Sequence, residues 1–174
     1  MKAISLGAVL VLGLCVAHAN AADLAYPVVD EQSMPANTWN GFYAGVGLTG
    51  AYNINFAETF GFIDATVGAN MQADSYVVGA EATVCGWKAT IAGPGLSIGG
   101  EIRGGYLVTP ETLLYLSGGA MHYITGGATY GQVGAGVEFA VAENTSVDLE
   151  YKYWHQIGGV YQTHSLSTSV LWHF

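Results

Sequence analysis

The chain has 174 residues, 51% of them hydrophobic and only 10% charged, with thirteen acidic residues against four basic ones. An average soluble domain carries about 25% charged residues, so this chain is too poor in charge to cover an ordinary soluble surface. It also lacks the Lys and Arg needed to neutralise phosphates, which excludes nucleic acid as a partner.

Residues 1–21 combine Lys2, an apolar run from Ile4 to Val16 and two overlapping small-residue sites, Ala17-His18-Ala19 and Ala19-Asn20-Ala21. That is the pattern of a secretory signal peptide, with cleavage expected after Ala21. Cys15 is preceded by the bulky Leu14 rather than the small residue of a lipoprotein site, and it leaves with the signal. Cys85 is then the only thiol, so no intramolecular disulfide staples the mature protein. Residues 22–38 hold two prolines and no sustained periodicity, and read as an extended periplasmic lead-in. After Ala21 there is no apolar run of the ~18 residues that a spanning helix needs. An apolar, Gly-rich, exported chain without such a helix crosses a membrane by closing a sheet, because only closure satisfies every backbone group in lipid.

From Trp39 onward the chain alternates with period two, the signature of strands with two distinct faces. The first strand, within 39–50, sends Phe42, Ala44, Val46 and Leu48 outward and Tyr43, Gly45, Gly47 and Thr49 inward. The second puts Ile63, Ala65, Val67, Ala69 and Met71 outside and Asp64, Thr66, Gly68, Asn70 and Gln72 inside. The third exposes Tyr76, Val78, Ala80, Ala82 and Val84, leaving Glu81, Thr83 and Cys85 inward. A slip of one residue would put Glu81 into hydrocarbon, so the polar residues fix the facing. The fourth strand turns Leu96, Ile98, Ile102, Tyr106 and Val108 outward and Glu101 and Arg103 inward. The fifth is ambiguous: Leu114, Leu116, Gly118 and Ala120 are assigned to the lipid face, but Leu113, Tyr115 and Met121 argue almost as well. The sixth alternates cleanly, with Val133, Ala135, Val137, Phe139 and Val141 outside and Gln132, Gly134, Gly136 and Glu138 inside. The seventh places Val147, Leu149, Tyr151 and Tyr153 outside and Asp148, Glu150, Lys152 and Trp154 inside. The eighth, ending the chain, sets Leu166, Thr168, Val170, Trp172 and Phe174 against Ser165, Ser167, Ser169, Leu171 and His173.

The expected fold is therefore all-β, an eight-stranded antiparallel transmembrane up-and-down barrel over residues 39–174. Tight polar breaks at Ala73-Asp74, Thr109 to Thr112 and Ala142 to Thr145 alternate with longer connections near 50–60, 88–95, 124–129 and 156–163. With the N-terminus in the periplasm, the short set is periplasmic and the long set extracellular. Tyr76, Tyr106, Tyr151, Tyr153 and Trp172 lie near strand ends on the lipid side, where aromatic girdles form. A soluble barrel or sandwich gives the same alternation with the apolar face inside. Against it, Asp64, Glu81, Glu101, Arg103, Glu138, Asp148, Glu150 and Lys152 all fall on one face. Such segregation is what lipid enforces, since Arg or Lys facing the bilayer midplane costs roughly 2–4 kcal/mol.

The segments AADLAYPV, WNGFYAGVGLTG, VVGAEATV, LLYLSGGAMHY and VGAGVEFAVAENTSVDLEYKYW, with the terminal LWHF, carry a family likeness over about residues 21–174. The chain resembles the small outer-membrane β-barrel surface proteins of alphaproteobacteria, the rhizobial-type major surface antigens of Gram-negative cells. It departs from them in its abbreviated loops and in having Arg103 alone where a basic pair is expected, so functions lodged in large loops, such as strong adhesion or haem capture, are not carried over. The resemblance implies a cell outer-membrane location and outer-membrane lipid and lipopolysaccharide as surroundings. It also implies that Phe174, with Trp172 and Val170, is the C-terminal signal read by the outer-membrane assembly machinery. Nothing in the residues specifies an oligomeric state.

Glu81, Glu101, Glu138, Asp148 and Glu150 share the lumen with Arg103 and Lys152. One reading is an ion-pair and hydrogen-bond network that plugs the barrel, because buried charges must be paired and eight strands leave an interior just wide enough for side chains. The other is a narrow cation-preferring path. A lipid-hydrolase reading would use His164 with Ser165, but adjacent residues of one strand point to opposite faces. His122, His155, His164 and His173 show no ligand spacing, and GLTG, GGEIRGG and TGGAT no phosphate-loop spacing. No catalytic residue, cofactor or metal is expected. Cys85 is a small lumen filler.

Overall fold

The computed structural model describes residues 39–90 and 93–174, so the expected signal peptide over 1–21 and lead-in over 22–38 lie outside the described residues. Eight strands follow in chain order: β1 (Gly41–Asn53), β2 (Glu58–Ala73), β3 (Tyr76–Ala89), β4 (Pro94–Thr109), β5 (Thr112–Tyr123), β6 (Thr129–Ala142), β7 (Thr145–Gln156) and β8 (Gln162–His173). Each pairs antiparallel with its sequence neighbour, and β8 returns to β1, with Val46 opposite Val170, to close an up-and-down barrel. Closure leaves no sheet edge, so every strand backbone finds its partners within the sheet.

Period two and the apolar outer phase explain the facings. Ile102, Met71 and Leu116 are each about 70% exposed on the outer face (70%, 69% and 69%), while Glu138 and Ser97 inside are fully buried. That inversion suits a barrel surrounded by hydrocarbon and no barrel surrounded by water. On the fifth strand, Leu114 and Leu116 face out while Leu113, Tyr115 and Met121 are buried.

The three turns at one end are two residues each, 74–75, 110–111 and 143–144. At the other end the connections are 54–57, 90–93, 124–128 and 157–161, shorter than the sequence suggests. The hairpin between β1 and β2 shows why. Alternation continues past Gly50, with Ala51 and Asn53 buried and Tyr52 exposed, and Ala51 pairs with Phe60. Asn53 Oδ1 then accepts the backbone N–H groups of Asn55 at 3.0 Å and Phe56 at 3.1 Å, and Ala57 turns back at φ 53°. An Asx turn thus closes the hairpin in the space read as loop.

The interior has three layers. Toward the longer connections an apolar layer contains Ala51, Phe62, Cys85, Met121 and Trp154, flanked by Phe60, Trp87, Tyr123 and Tyr130. Toward the short turns a second apolar layer contains Trp39, Val77, Leu113 and Tyr115. Trp39 sits just before β1 and is 2% exposed; its Nε1 donates to the Pro110 carbonyl at 3.0 Å. Between these layers lie the charged and hydroxyl side chains. Bare backbone makes room for the rings: a Cβ on Gly68 would strike the Tyr43 ring, and one on Gly136 the Tyr115 ring.

Candidate functional site

The middle layer of the lumen gathers side chains from every strand. Inward residues of β2 and β3 supply Asp64, Thr66, Glu81 and Thr83. Those of β4 supply Glu101 and Arg103, those of β6 supply Gln132 and Glu138, and those of β7 supply Asp148, Glu150 and Lys152. The strand period fixes this, since i, i+2 and i+4 share a face.

Arg103 and Lys152, the two cations of this layer, are each engaged by carboxylates. Arg103 Nη1 lies 2.8 Å from Glu138 Oε2, with both side chains buried, and Arg103 Nε donates to Asn70 Oδ1 at 3.2 Å. The guanidinium also stands over the Tyr43 ring at 4.8 Å and the Tyr115 ring at 5.3 Å, a cation–π clamp. Lys152 Nζ reaches Glu101 at 2.7 Å and Glu150 at 2.8 Å. Ser117 donates to Glu150 at 2.5 Å, and Gln132 Nε2 donates to Glu101 at 3.0 Å. Hydroxyls serve the other carboxylates: Tyr115 donates to Asp148 at 2.7 Å, Tyr43 and Thr66 to Glu81 at 3.0 Å each, and Thr49 to Asp64 at 3.2 Å. A cavity of about 50 Å³ remains among these groups, room for a few water-sized guests.

The structure thus places Glu81, Glu101, Arg103, Glu138, Asp148, Glu150 and Lys152 on the inner face of one charged layer, where Lys152 joins Glu101 and Glu150, Arg103 joins Glu138, and Glu81 and Asp148 each accept from a tyrosine whose ring faces the Arg103 guanidinium. The sequence pattern did not single out Tyr43, Tyr115, Asn70 and Gln132 as partners in it. The only signal for them was inward parity, which for Tyr115 was itself ambiguous.

His173 joins the network at the short-turn end, its Nε2 2.8 Å from Ser146 Oγ and 3.2 Å from Glu138 Oε1. The trio of Ser146, His173 and Glu138 is not a nucleophilic relay. In a triad the acid holds the imidazole nitrogen opposite the serine, whereas here serine and carboxylate share Nε2, and Ser146 itself donates to Glu138 at 2.5 Å. His164 and Ser165 lie on opposite faces of β8: the imidazole is hydrogen-bonded to the Tyr151 hydroxyl outside, while Ser165 is buried and donates to the Lys152 carbonyl at 3.4 Å. Among the described residues no three or more His, Cys, Asp or Glu side chains are grouped to hold a metal ion. Cys85 is buried in the apolar layer.

At the end of β8, Val170, Trp172 and Phe174 point outward, Phe174 being 81% exposed. The backbone N–H of Phe174 donates to the Phe42 carbonyl at 2.9 Å and that of His173 to the Asn144 carbonyl at 2.8 Å, tying the terminus to both neighbouring strands. On the same rim Tyr76 and Tyr106 meet edge to face with centroids 5.3 Å apart.

Solved structures resemble this barrel. Neisserial surface protein A (NspA) matches at 20% identity with a TM-score of 0.55, covering 77% of this chain and 97% of its own. The N-terminal β-barrel domain of OprF from Pseudomonas aeruginosa matches at 12% identity with a TM-score of 0.54, covering 76% and 99%. The outer membrane enzyme PagL matches at 12% identity with a TM-score of 0.50, covering 75% and 99%. Identities this low speak for the fold alone, and a fold that serves a surface protein and an enzyme assigns no activity by itself. No curated protein matches the chain in sequence. A family model does, the outer membrane protein beta-barrel domain, over residues 6–174. With a closed eight-stranded barrel, an apolar exterior and a match over nearly its whole length, the chain belongs to the outer membrane protein β-barrel domain family.

Proposed function

We propose that this outer-membrane barrel is a structural, non-enzymatic surface protein that contributes to envelope integrity, with its lumen plugged by the ion-pair network. The observation that carries this reading is the engagement of both cations inside the barrel, buried Arg103 by Glu138 and half-buried Lys152 by Glu101 and Glu150. Apolar layers lie on either side of that network, and an eight-stranded interior is filled by side chains of this size. Short connections leave little chain beyond the membrane, which suits a scaffold role over capture of a large ligand. The segments AADLAYPV and WNGFYAGVGLTG support placing it among the small alphaproteobacterial surface antigens, with the signal removed after Ala21. Lipopolysaccharide and membrane lipid surround the barrel, and the assembly machinery reads Val170, Trp172 and Phe174.

A second reading, a narrow cation-preferring pore, draws on the excess of carboxylates over cations in the lumen. The structural reading is tested in cells lacking the protein. Uptake of an apolar dye and sensitivity to detergent should rise, and the wild-type chain should restore both. Unchanged permeability would remove the integrity role. Lipid turnover by the purified barrel that disappears in His164→Ala would instead make it an enzyme.

A further inference from the structure

The lipid side of the barrel carries polar groups near the longer connections that the lumen does not use. From Phe174 up β8 to His164 the chain rises about 25 Å along the barrel axis, at ~3.3 Å per residue and a ~40° tilt, which is the height of the apolar band. On β3 the rise from Tyr76 to Lys88 is about 30 Å by the same arithmetic, so both residues reach the far interface. In register across the sheet stand Tyr153, His164, Tyr52 and Thr59, and the next outward row toward the short turns runs Tyr151, Leu166, Gly50, Gly61 and Lys88.

Gly50, Tyr52, Thr59, Tyr151, His164 and Leu166 line an outer depression of about 320 Å³, and Gly61 carries the bare backbone from Gly50 on to Lys88. A Cβ on Gly50 or Gly61 would meet nothing within 4 Å, and the pairing runs through both without a register shift, so neither packing nor a bulge calls for glycine. An unforced glycine inside a strand marks a place where another molecule approaches the backbone closely. Charge at the same place has a sign. Lys88 is exposed and makes no ion pair among the described residues, whereas Arg103 and Lys152 are paired in the lumen. Glu58, beside Thr59 in sequence, has inward parity. The Tyr151 hydroxyl is bonded to His164 Nδ1 and the Tyr153 ring packs on the imidazole at 5.5 Å, which holds the ring and leaves Nε2 for a ligand oxygen.

We infer that this depression binds the headgroup of one phosphorylated glycolipid of the outer leaflet. Lys88 takes a phosphate as a point charge, and Tyr52, Tyr151 and His164 offer uncharged polar groups and ring faces to the sugar. An acyl chain then lies along the exposed pair Leu48 and Ile63, one outward row further toward the short turns. The inference rests on the reading of the long connections as the outward end of an envelope barrel. Its test is separate: unchanged permeability in cells lacking the protein would end the integrity role without altering the binding compared below.

The mature protein, refolded in uncharged detergent, is titrated with lipid A, with lipid A stripped of its phosphates and with phosphatidylglycerol, and bound lipid is counted by native mass spectrometry. The expected result is one lipid A per barrel, held about tenfold more tightly than either other lipid. Lys88→Gln should weaken lipid A about tenfold, and Gly61→Leu, which fills the bare strip, by a similar factor. Gly104→Leu, at an equally open outward glycine on β4, should bind as the wild type does. Lipid A bound equally with and without its phosphates, or equally by the wild type, Lys88→Gln and Gly61→Leu, would overturn the inference and leave an ordinary lipid annulus. Phosphatidylglycerol held as tightly as lipid A would overturn the glycolipid assignment. Heat-modifiability reports the folding of each variant, and if either fails to fold, the wild-type comparison of lipid A with its phosphate-free form decides the matter.

Discussion

Glu138 anchors the more deeply buried of the two cations. It is fully buried, it holds Arg103 at 2.8 Å and it accepts from Ser146 at 2.5 Å. Glu138→Gln retains an acceptor for Ser146 but leaves the guanidinium buried without its counter-charge. Removing one partner of a buried pair costs about 3–5 kcal/mol, so the urea midpoint of the refolded barrel should fall sharply. The double variant Arg103→Met, Glu138→Leu should recover most of the loss, since apolar replacement of a whole buried pair is often neutral. Steric limits act at the same scale. A Cβ on Gly136 would meet the Tyr115 ring, whose hydroxyl serves Asp148, while one on Gly131 meets nothing within 4 Å. Gly136→Val should therefore cost about 1–3 kcal/mol by overpacking, and Gly131→Ala should be neutral or stabilising. Similar effects for the two glycines, read from the same urea titration, would contradict this packing account.

At the scale of the strand, facing is decided by what each side touches. Val67 lies near the middle of β2 and is 60% exposed to lipid, while the adjacent Thr66 is buried and donates to Glu81 at 3.0 Å. Val67→Arg should cost roughly 2–4 kcal/mol in lipid vesicles. In detergent, where the head of a long side chain reaches water more easily, the cost should shrink; an equal cost in both would place Val67 off the lipid face. The same contrast made most strands legible in the sequence. Alternation is clearest in β6, where Val133 and Val137 flank Gly134 and Gly136, because a lipid-facing site tolerates no charge and the middle of the lumen tolerates little bulk. Legibility fails where the lumen is itself apolar. The inward residues of β5 include Leu113, Tyr115 and Met121, which belong to the two end layers, so both faces of that strand look alike. Loop limits fail for a related reason: Ala51 and Phe60 are small or apolar inward residues near Gly50 and Gly61, and nothing in their composition separates strand from loop. Which carboxylate holds Arg103 was not legible either. Arg103 is adjacent in sequence to residues near Glu101, yet its partner Glu138 stands two strands away, a match set by the stagger of the closed sheet.

At the scale of the whole molecule, the barrel is an apolar cylinder around a charged middle, with apolar layers above and below. The outer phase suits the membrane, and the carboxylates of the inner phase are met by Arg103, Lys152 and the hydroxyls of Tyr43, Tyr115 and Ser117. On the proposed reading a filled lumen would make the barrel a rigid element of the envelope, and the rims of Tyr76, Tyr106 and Trp172 suit the membrane interface. Single-channel recording of the refolded mature protein in a planar bilayer, with Glu101→Gln beside it, tests the plugged lumen most directly. The wild type should insert as a folded, heat-modifiable barrel and stay silent. Stable cation-selective steps in the wild type, altered by Glu101→Gln, would contradict the plug and make the acidic lumen a conducting path.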